Sequence, residues 1–226
     1  MTTIAAMAGA LRRPSRPSTT TTPIVFVVDD DVSVRESLEL LIQSSGCEVE
    51  TFGSAREFLA RPAASVPHCL ILDVSLPDVN GIELQRRIAG DRPEMPVIFI
   101  TGYGDVPMTV QAMKAGAFDF LTKPLGDQTL LAGVRDALER SRRALDKEAT
   151  LRELRENYAS LTPREREVMV LVAAGLLNKQ VGGELGISEI TVKAHRGKVM
   201  RKMKADSLPS LVHMVDRLGL APATVS

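Results

Sequence analysis

The first half of the chain alternates short apolar runs with longer segments of helical periodicity. Strong apolar runs occupy residues 24–28, 69–72 and 97–100, and weaker strand-like runs occupy 49–52 and 119–121. Helix-like segments separate and follow them, at 33–45, 55–60, 81–90, 107–115 and 129–138. Strands that alternate with helices in this way predict a doubly wound α/β fold with a five-stranded parallel sheet.

Four of these runs are followed by residues that can bind a cation or a phosphoryl group. Asp29 and Asp30 follow the run 24–28, and Asp73 follows the run 69–72. Thr101 follows the run 97–100, and Lys123 comes after the run 119–121. Parallel strands end at one edge of the sheet, and ligands bind at that edge. We therefore expect these side chains to meet and to hold a divalent cation beside a carboxylate nucleophile.

The order and spacing of these residues resemble the signature of two-component receiver domains, which have a flavodoxin-like fold. The segments 101–108 and 113–117 resemble the FixJ branch in particular. The resemblance implies that Asp73 is the phosphoacceptor. It also implies a Mg²⁺ site in which Asp30 is a direct ligand and Asp29 binds largely through water. Asp73 and the backbone carbonyl of Ser75 complete the expected ligands.

The same resemblance assigns roles to three residues around the phosphoacceptor. Lys123 is expected to pair with the phosphoryl group, and the hydroxyl of Thr101 is expected to donate a hydrogen bond to it. Phe120 is expected to be an aromatic switch whose rotamer follows Thr101. The alternative is that Phe120 is an ordinary strand residue in the core.

Charge is distributed unevenly between the two halves of the chain, although the net charge is zero. Residues 24–128 contain 8 Lys and Arg against 16 Asp and Glu, whereas residues 159–226 contain 10 against 6. A basic second half predicts contact with a polyanion.

The second half predicts a small domain of four helices, at 163–174, 178–185, 189–204 and 207–218. Thr162, with Pro163 and Glu165 after it, predicts a capping box at the start of the first helix. Gly186 permits a tight turn between the second and third helices, and Ser188 can cap the third.

Residues 161–218 resemble the LuxR-type helix-turn-helix domain of FixJ/NarL regulators, most clearly at 161–168, 185–188 and 191–195. We expect the helix after Ser188 to enter the major groove of double-stranded DNA. The expected DNA-contacting residues are Lys179, Thr191, Lys193, Ala194, Arg196, Gly197 and Lys198.

These residues are expected to contribute differently to DNA binding. Lys193 is the best candidate for a base or phosphate contact. Arg196 and Lys179 are expected to contact phosphates, which position the protein without specifying sequence. Ala194 and Gly197 are small enough to let the backbone approach the DNA closely.

Four regions follow from these patterns. Residues 1–22 are expected to be a disordered tail, 23–140 a receiver domain, 141–158 a linker helix and 159–220 the helix-turn-helix domain. The periodicity of 129–158 fits one long helix, either in a dimeric coiled coil or as a single amphipathic linker.

Together these features predict a two-component response regulator rather than an enzyme. The expected protein is a DNA-binding transcription regulator, an activator by its FixJ resemblance, switched on when a sensor histidine kinase phosphorylates Asp73. Its expected partners are that kinase, promoter DNA, RNA polymerase and, when phosphorylated, a second copy of itself.

Two alternative functions use the same strand-end carboxylates. A metal-dependent phosphohydrolase needs a second acid two residues after the nucleophile, where this chain has Ser75. A receiver that serves only as a protein-binding adaptor leaves the basic domain unexplained.

The sequence also indicates the cellular compartment of the protein. No apolar run approaches the length of a membrane span. Arg12, Arg13 and Arg16 follow the apolar stretch 4–11, whereas a signal peptide has its positive charges before such a stretch. We expect a cytoplasmic protein without membrane contact.

Overall fold

Five parallel strands form where the apolar runs predict them. They are β1 (Ile24–Val28), β2 (Glu48–Phe52), β3 (His68–Asp73), β4 (Val97–Thr101) and β5 (Asp119–Thr122). The strands are hydrogen-bonded in the order β2-β1-β3-β4-β5. Because β1 and β3 are central and all strands point the same way, residues at their carboxyl ends meet at one edge.

Helices connect and follow the strands: α1 (Val32–Gln43), α2 (Ala55–Ala60), α3 (Gly81–Asp91), α4 (Val106–Lys114) and the long α5 (Asp127–Ala159). Asp31 caps α1 by accepting a hydrogen bond from the backbone of Ser33, and Asn80 caps α3 through Ile82 in the same way. The predicted α/β fold, including the long helix that follows the sheet, is confirmed.

This computed structural model describes residues 21–77, 79–102, 104 and 106–220. The chain divides into two units, which we call the α/β unit, up to Arg142, and the helical unit, from Arg143. Residues 1–20 of the predicted disordered tail lie outside the described residues. Over the described ranges, no helix is both long enough and apolar enough to cross a bilayer.

The sheet has an apolar layer on each face because successive strand residues point to opposite sides. On one face, Phe26 and Leu72 pack with Phe58 of α2. On the other face, Val27 and Ile71 pack with helices α1 and α5. Strands covered on both faces are expected to be apolar throughout, which explains the continuous runs in the sequence.

The helical unit contains α6 (Pro163–Ala173), α7 (Asn178–Leu185), α8 (Glu189–Met203) and α9 (Leu208–Arg217). Thr162 and Glu165 form the predicted capping box. Gly186 ends α7 in the left-handed region at φ 64°, where glycine has no side chain to clash, and Ser188 caps α8. The predicted helix-turn-helix geometry is therefore present.

Candidate functional site

The carboxyl edge of the sheet brings together a lysine and two carboxylates. Lys123 Nζ donates hydrogen bonds to Asp29 Oδ2 and Asp73 Oδ2, each at 2.7 Å. Asp29 is fully buried, and Asp73 is 7% exposed. The lysine therefore joins the ends of three strands through two charge-assisted hydrogen bonds.

A third carboxylate lies beside this pair. Asp30 is exposed, and one carboxylate oxygen from each of Asp29, Asp30 and Asp73 lies within 4.8 Å of the others. Carboxylate oxygens are the donors that Mg²⁺ prefers. The three predicted metal-binding carboxylates thus form a cluster whose chemistry fits a hard divalent cation.

Backbone contacts fix the two buried carboxylates. Asp29 Oδ1 accepts a hydrogen bond from the backbone N–H of Asp31, and Asp73 Oδ1 accepts one from that of Ser75, both at 2.9 Å. Each carboxylate thus has one oxygen bound to its own loop and the other bound to Lys123. The side chains are held in place before any ligand arrives.

Arg35 organises the acidic loop and was missed by the sequence reasoning. Its Nη1 donates to the backbone carbonyls of Asp29, at 2.7 Å, and Asp30, at 3.0 Å. An arginine one turn into the helix after an acidic run is the sequence signal that could have identified it. Arg35 positions the loop without contacting the carboxylate groups themselves.

Burial and the neighbouring charges shift the pKa values of Asp29 and Lys123. Burial raises the pKa of Asp29, although the Lys123 ammonium opposes this effect. For Lys123, burial alone lowers the pKa, but the hydrogen bonds to Asp29 and Asp73 outweigh it, so the pKa is raised. Lys123 therefore remains an ammonium at neutral pH, and a further cation would favour the ionised form of Asp29.

The loop after β3 bends back towards the site, as expected from its turn residues. Ser75 and Asn80 form an antiparallel bridge across it, and Gly81 N donates to Val74 O at 3.0 Å. A Cβ on Gly81 would lie 2.6 Å from Asp73 O, so glycine is needed for this close approach. The role of the Ser75 carbonyl as a metal ligand stays a prediction.

Thr101 and Phe120 lie on the neighbouring strands β4 and β5. Thr101 is buried, and the half-buried Phe120 packs against Phe99 with 6.2 Å between ring centroids. A Cβ on Gly104 would lie 3.2 Å from the Phe120 ring, so the backbone at Gly104 packs closely against that ring. Phe120 thus lies between Phe99 of the core and Gly104, and its switch role stays a prediction.

Helix α8 of the helical unit has one buried face and one exposed basic face. Val192, Val199 and Met203 are buried in the core of that unit. The predicted DNA-contacting residues Lys179, Lys193, Ala194, Gly197 and Lys198 are exposed. This arrangement presents a basic helix surface without disturbing the core.

Two of the predicted DNA-contacting residues already make contacts inside the helical unit. The half-buried Arg196 donates from Nη1 to Asn178 Oδ1 at 3.2 Å, which joins α8 to α7. The hydroxyl of Thr191 lies 2.8 Å from that of Ser188, the cap of α8. Their predicted DNA contacts remain predictions, and both residues also have structural roles.

Lys202 lies on α8 but is part of the framework of the unit. Its Nζ donates to Glu165 Oε2 at 2.6 Å and to Ser160 O at 3.0 Å. The Lys202 ammonium, followed by the backbone N–H of Thr162, lowers the pKa of Glu165 to about 2. The positive charge of Lys202 is therefore directed into the unit.

Comparison with known proteins gives matches in both units. Residues 25–135 match the response regulator receiver domain family, and residues 159–215 match the luxR family of bacterial regulatory proteins. Nodulation protein W of Bradyrhizobium diazoefficiens is 52% identical, over 89% of this chain and 88% of that protein. Transcriptional regulatory protein FixJ of Azorhizobium caulinodans is 44% identical, over 88% and 94% respectively. The solved structure of the response regulator StyR is 46% identical, with a TM-score of 0.79 over 87% of this chain and 100% of that one.

Proposed function

The chain belongs to the FixJ-type two-component response regulators, which join a receiver domain to a luxR-type DNA-binding domain, and we propose that Asp73 is its phosphoacceptor. It is a transcription regulator, and its receiver domain implies a histidine kinase as partner. The observation that carries the assignment of Asp73 is the 2.7 Å contact between its Oδ2 and Lys123 Nζ. This contact places a fixed positive charge beside a carboxylate at the ligand-binding edge of the sheet.

In the proposed transfer, a carboxylate oxygen of Asp73 attacks the phosphorus of a phosphohistidine on the kinase. The new P–O bond forms as the P–N bond breaks, and the imidazole departs with the electron pair. Lys123, already bound to that carboxylate, pairs with the oxygens of the transferred group. The Thr101 hydroxyl, at the end of the neighbouring strand, donates a hydrogen bond to the same group.

We assign the metal site to Asp29, Asp30 and Asp73, with the Ser75 carbonyl as a further ligand. The support is the close approach of the three carboxylates, one oxygen of each lying within 4.8 Å of the others. Bound Mg²⁺ would neutralise the clustered carboxylates and the phosphoryl oxygens. Arg35 and the backbone N–H groups of Asp31 and Ser75 hold the ligands in position.

The proposed switch links phosphorylation to dimerisation. Thr101 moves towards the phosphoryl group, Phe120 follows, and the face formed by α4 and β5 is remodelled. Helix α4 has three exposed apolar side chains, Val106, Val110 and Met113, which suit a surface that a second copy covers.

We propose that α8 enters the major groove and that the N-terminus of α7 faces a phosphate. Leu177, at the cap position of α7, has no side-chain oxygen to accept from the first turn of that helix. Such a helix start, with the exposed Lys179 in its first turn, suits a phosphate. The bound dimer would then activate transcription through contact with RNA polymerase.

A gel shift with the full chain tests this function against its alternatives. Promoter fragments from the source genome are mixed with the protein, with and without acetyl phosphate and Mg²⁺. We expect a shift of the DNA band that strengthens on phosphorylation. A protein that is labelled but never shifts DNA would favour the adaptor, and steady release of phosphate without a labelled protein would favour the phosphohydrolase.

A further inference from the structure

The first turn of α8 exposes an isoleucine. Ile190 is 81% exposed, more than any other large hydrophobic side chain in the described part of the chain. Single apolar residues are common on protein surfaces, so exposure alone carries no meaning. The position of Ile190 on the exposed face of α8 is what points to a binding role. Ile190 is not among the DNA-contacting residues expected from the sequence.

Helical geometry places Ile190 at the centre of the exposed face. Each residue turns the helix by about 100°, so Ile190, Ala194 and Gly197 lie within about 60° of one another around the axis. The same spacing puts Val199, which is buried, about 180° from Ile190. Ile190 therefore points directly away from the core of the unit.

Two lysines flank this apolar strip. Lys193 lies on one side of the line through Ile190, Ala194 and Gly197, and Lys198 lies on the other, and both are exposed. Positive charge on both sides favours a polyanion over an apolar protein partner. The small residues Ala194 and Gly197 let the helix approach its ligand closely.

The major groove of DNA has groups that suit both the apolar strip and the two flanking lysines. Its phosphates border the groove, where the lysines can reach them, and the C5-methyl of thymine is the apolar group on its base edges. We propose that Ile190 contacts a thymine methyl and makes the regulator prefer thymine at that position of each half-site. The inference rests on the proposed placement of α8 in the major groove.

The test compares thymine with uracil, which lacks only the C5-methyl group. The full chain, with acetyl phosphate and Mg²⁺, first enriches binding duplexes from a random-sequence pool. The enriched duplex is then synthesised with each thymine replaced in turn by uracil, and affinities are measured for wild type and Ile190→Ala. Leu40→Ala serves as the control, because Leu40 is also exposed and apolar but lies on α1 of the α/β unit.

We expect one thymine per half-site at which uracil weakens wild-type binding about fourfold, the effect of losing one buried methyl group. Ile190→Ala should bind thymine and uracil duplexes equally at that position, whereas Leu40→Ala should retain the difference. The inference is overturned if wild type ignores every replacement or if Ile190→Ala still discriminates. Failure to enrich any duplex would overturn the placement of α8 in the major groove itself.

Discussion

Lys123 Nζ lies 2.7 Å from Asp73 Oδ2, although the two residues are 50 positions apart. Asp73 ends β3 and Lys123 follows β5, and β4 lies between these two strands. The contact exists because parallel strands end at a common edge and Lys123 is long enough to reach across the neighbouring strand. The same ammonium binds Asp29 on the other side of Asp73. One side chain thus links the acidic loop after β1 to the proposed phosphoacceptor.

Replacing Lys123 should slow phosphorylation without abolishing the fold. Lys123→Ala removes a charge-assisted hydrogen bond of about 1.5–3 kcal/mol, so we expect the initial rate of labelling to fall about tenfold or more. The measurement is incorporation of phosphate from acetyl phosphate at saturating Mg²⁺. Lys114→Ala, an exposed lysine at the end of α4, should label like wild type. Equal rates for Lys123→Ala and wild type would show that Lys123 plays no part in transfer.

The site at the sheet edge was predictable because it depends on strand ends alone. Each apolar run fixes where its strand stops, so Asp29, Asp73 and Lys123 were brought together by topology. Contacts such as Lys202 with Glu165 were not predictable, because they depend on how two helices pack. The exposure of Ile190 lay within reach of the helical period, but an isoleucine is ordinarily assigned to the core.

The two adjacent glycines of α7 should respond oppositely to alanine. A Cβ on Gly182 would lie 2.7 Å from Ile187 O, a backbone atom that cannot move freely, so glycine is needed for the close packing there. Gly182→Ala should destabilise the helical unit by about 1–3 kcal/mol through overpacking. Hydrogen exchange of the α7 and α8 amides in the full chain measures the change.

Gly183→Ala is the matched control, because nothing lies within 4 Å of a Cβ at Gly183. Alanine there should be neutral or should stabilise the helix by up to about 1 kcal/mol through its helix propensity. The structure offers no reason for glycine at this position. Similar losses of protection in both variants would contradict the packing described for Gly182.

The Glu165–Lys202 contact should make the stability of the helical unit pH-dependent. The pKa of Glu165 is lowered to about 2 in the folded protein, below the ordinary value of 4.5. Its contribution is therefore complete above pH 4.5 and is lost as the pH falls towards 2. Glu165→Gln should lower the stability of the unit at pH 7 by about 1–3 kcal/mol and have a smaller effect near pH 3.

Protection of the α6 amides from hydrogen exchange at the two pH values measures this difference. Glu167→Gln is the control, because Glu167 pairs with Arg164 on the exposed surface of the same helix. Such surface pairs contribute about 0–1 kcal/mol, so this variant should change little. An equal effect of Glu165→Gln at both pH values would refute the role given to the charged pair.

Lys193→Ala should weaken DNA binding at all salt concentrations. A base contact would cost about 1–3 kcal/mol on the enriched duplex only, whereas a phosphate contact would weaken binding to random DNA equally and reduce the salt dependence. Fluorescence anisotropy with both DNAs across a salt series distinguishes a base contact from a phosphate contact. Lys147→Ala, an exposed lysine of α5, is the control. Unchanged affinity for both DNAs would remove α8 as the recognition helix.

The most direct test of the whole account is the phosphorylation of Asp73 itself. The full chain is incubated with acetyl phosphate, with Mg²⁺ or with a chelator, and the modified residue is located by mass spectrometry. We predict one phosphoryl group on Asp73, none without Mg²⁺, none in Asp73→Asn, and normal labelling in Asp91→Asn, which changes an exposed carboxylate at the end of α3. Undiminished labelling of Asp73→Asn, or a phosphoryl group on another residue of the wild-type protein, would contradict the account.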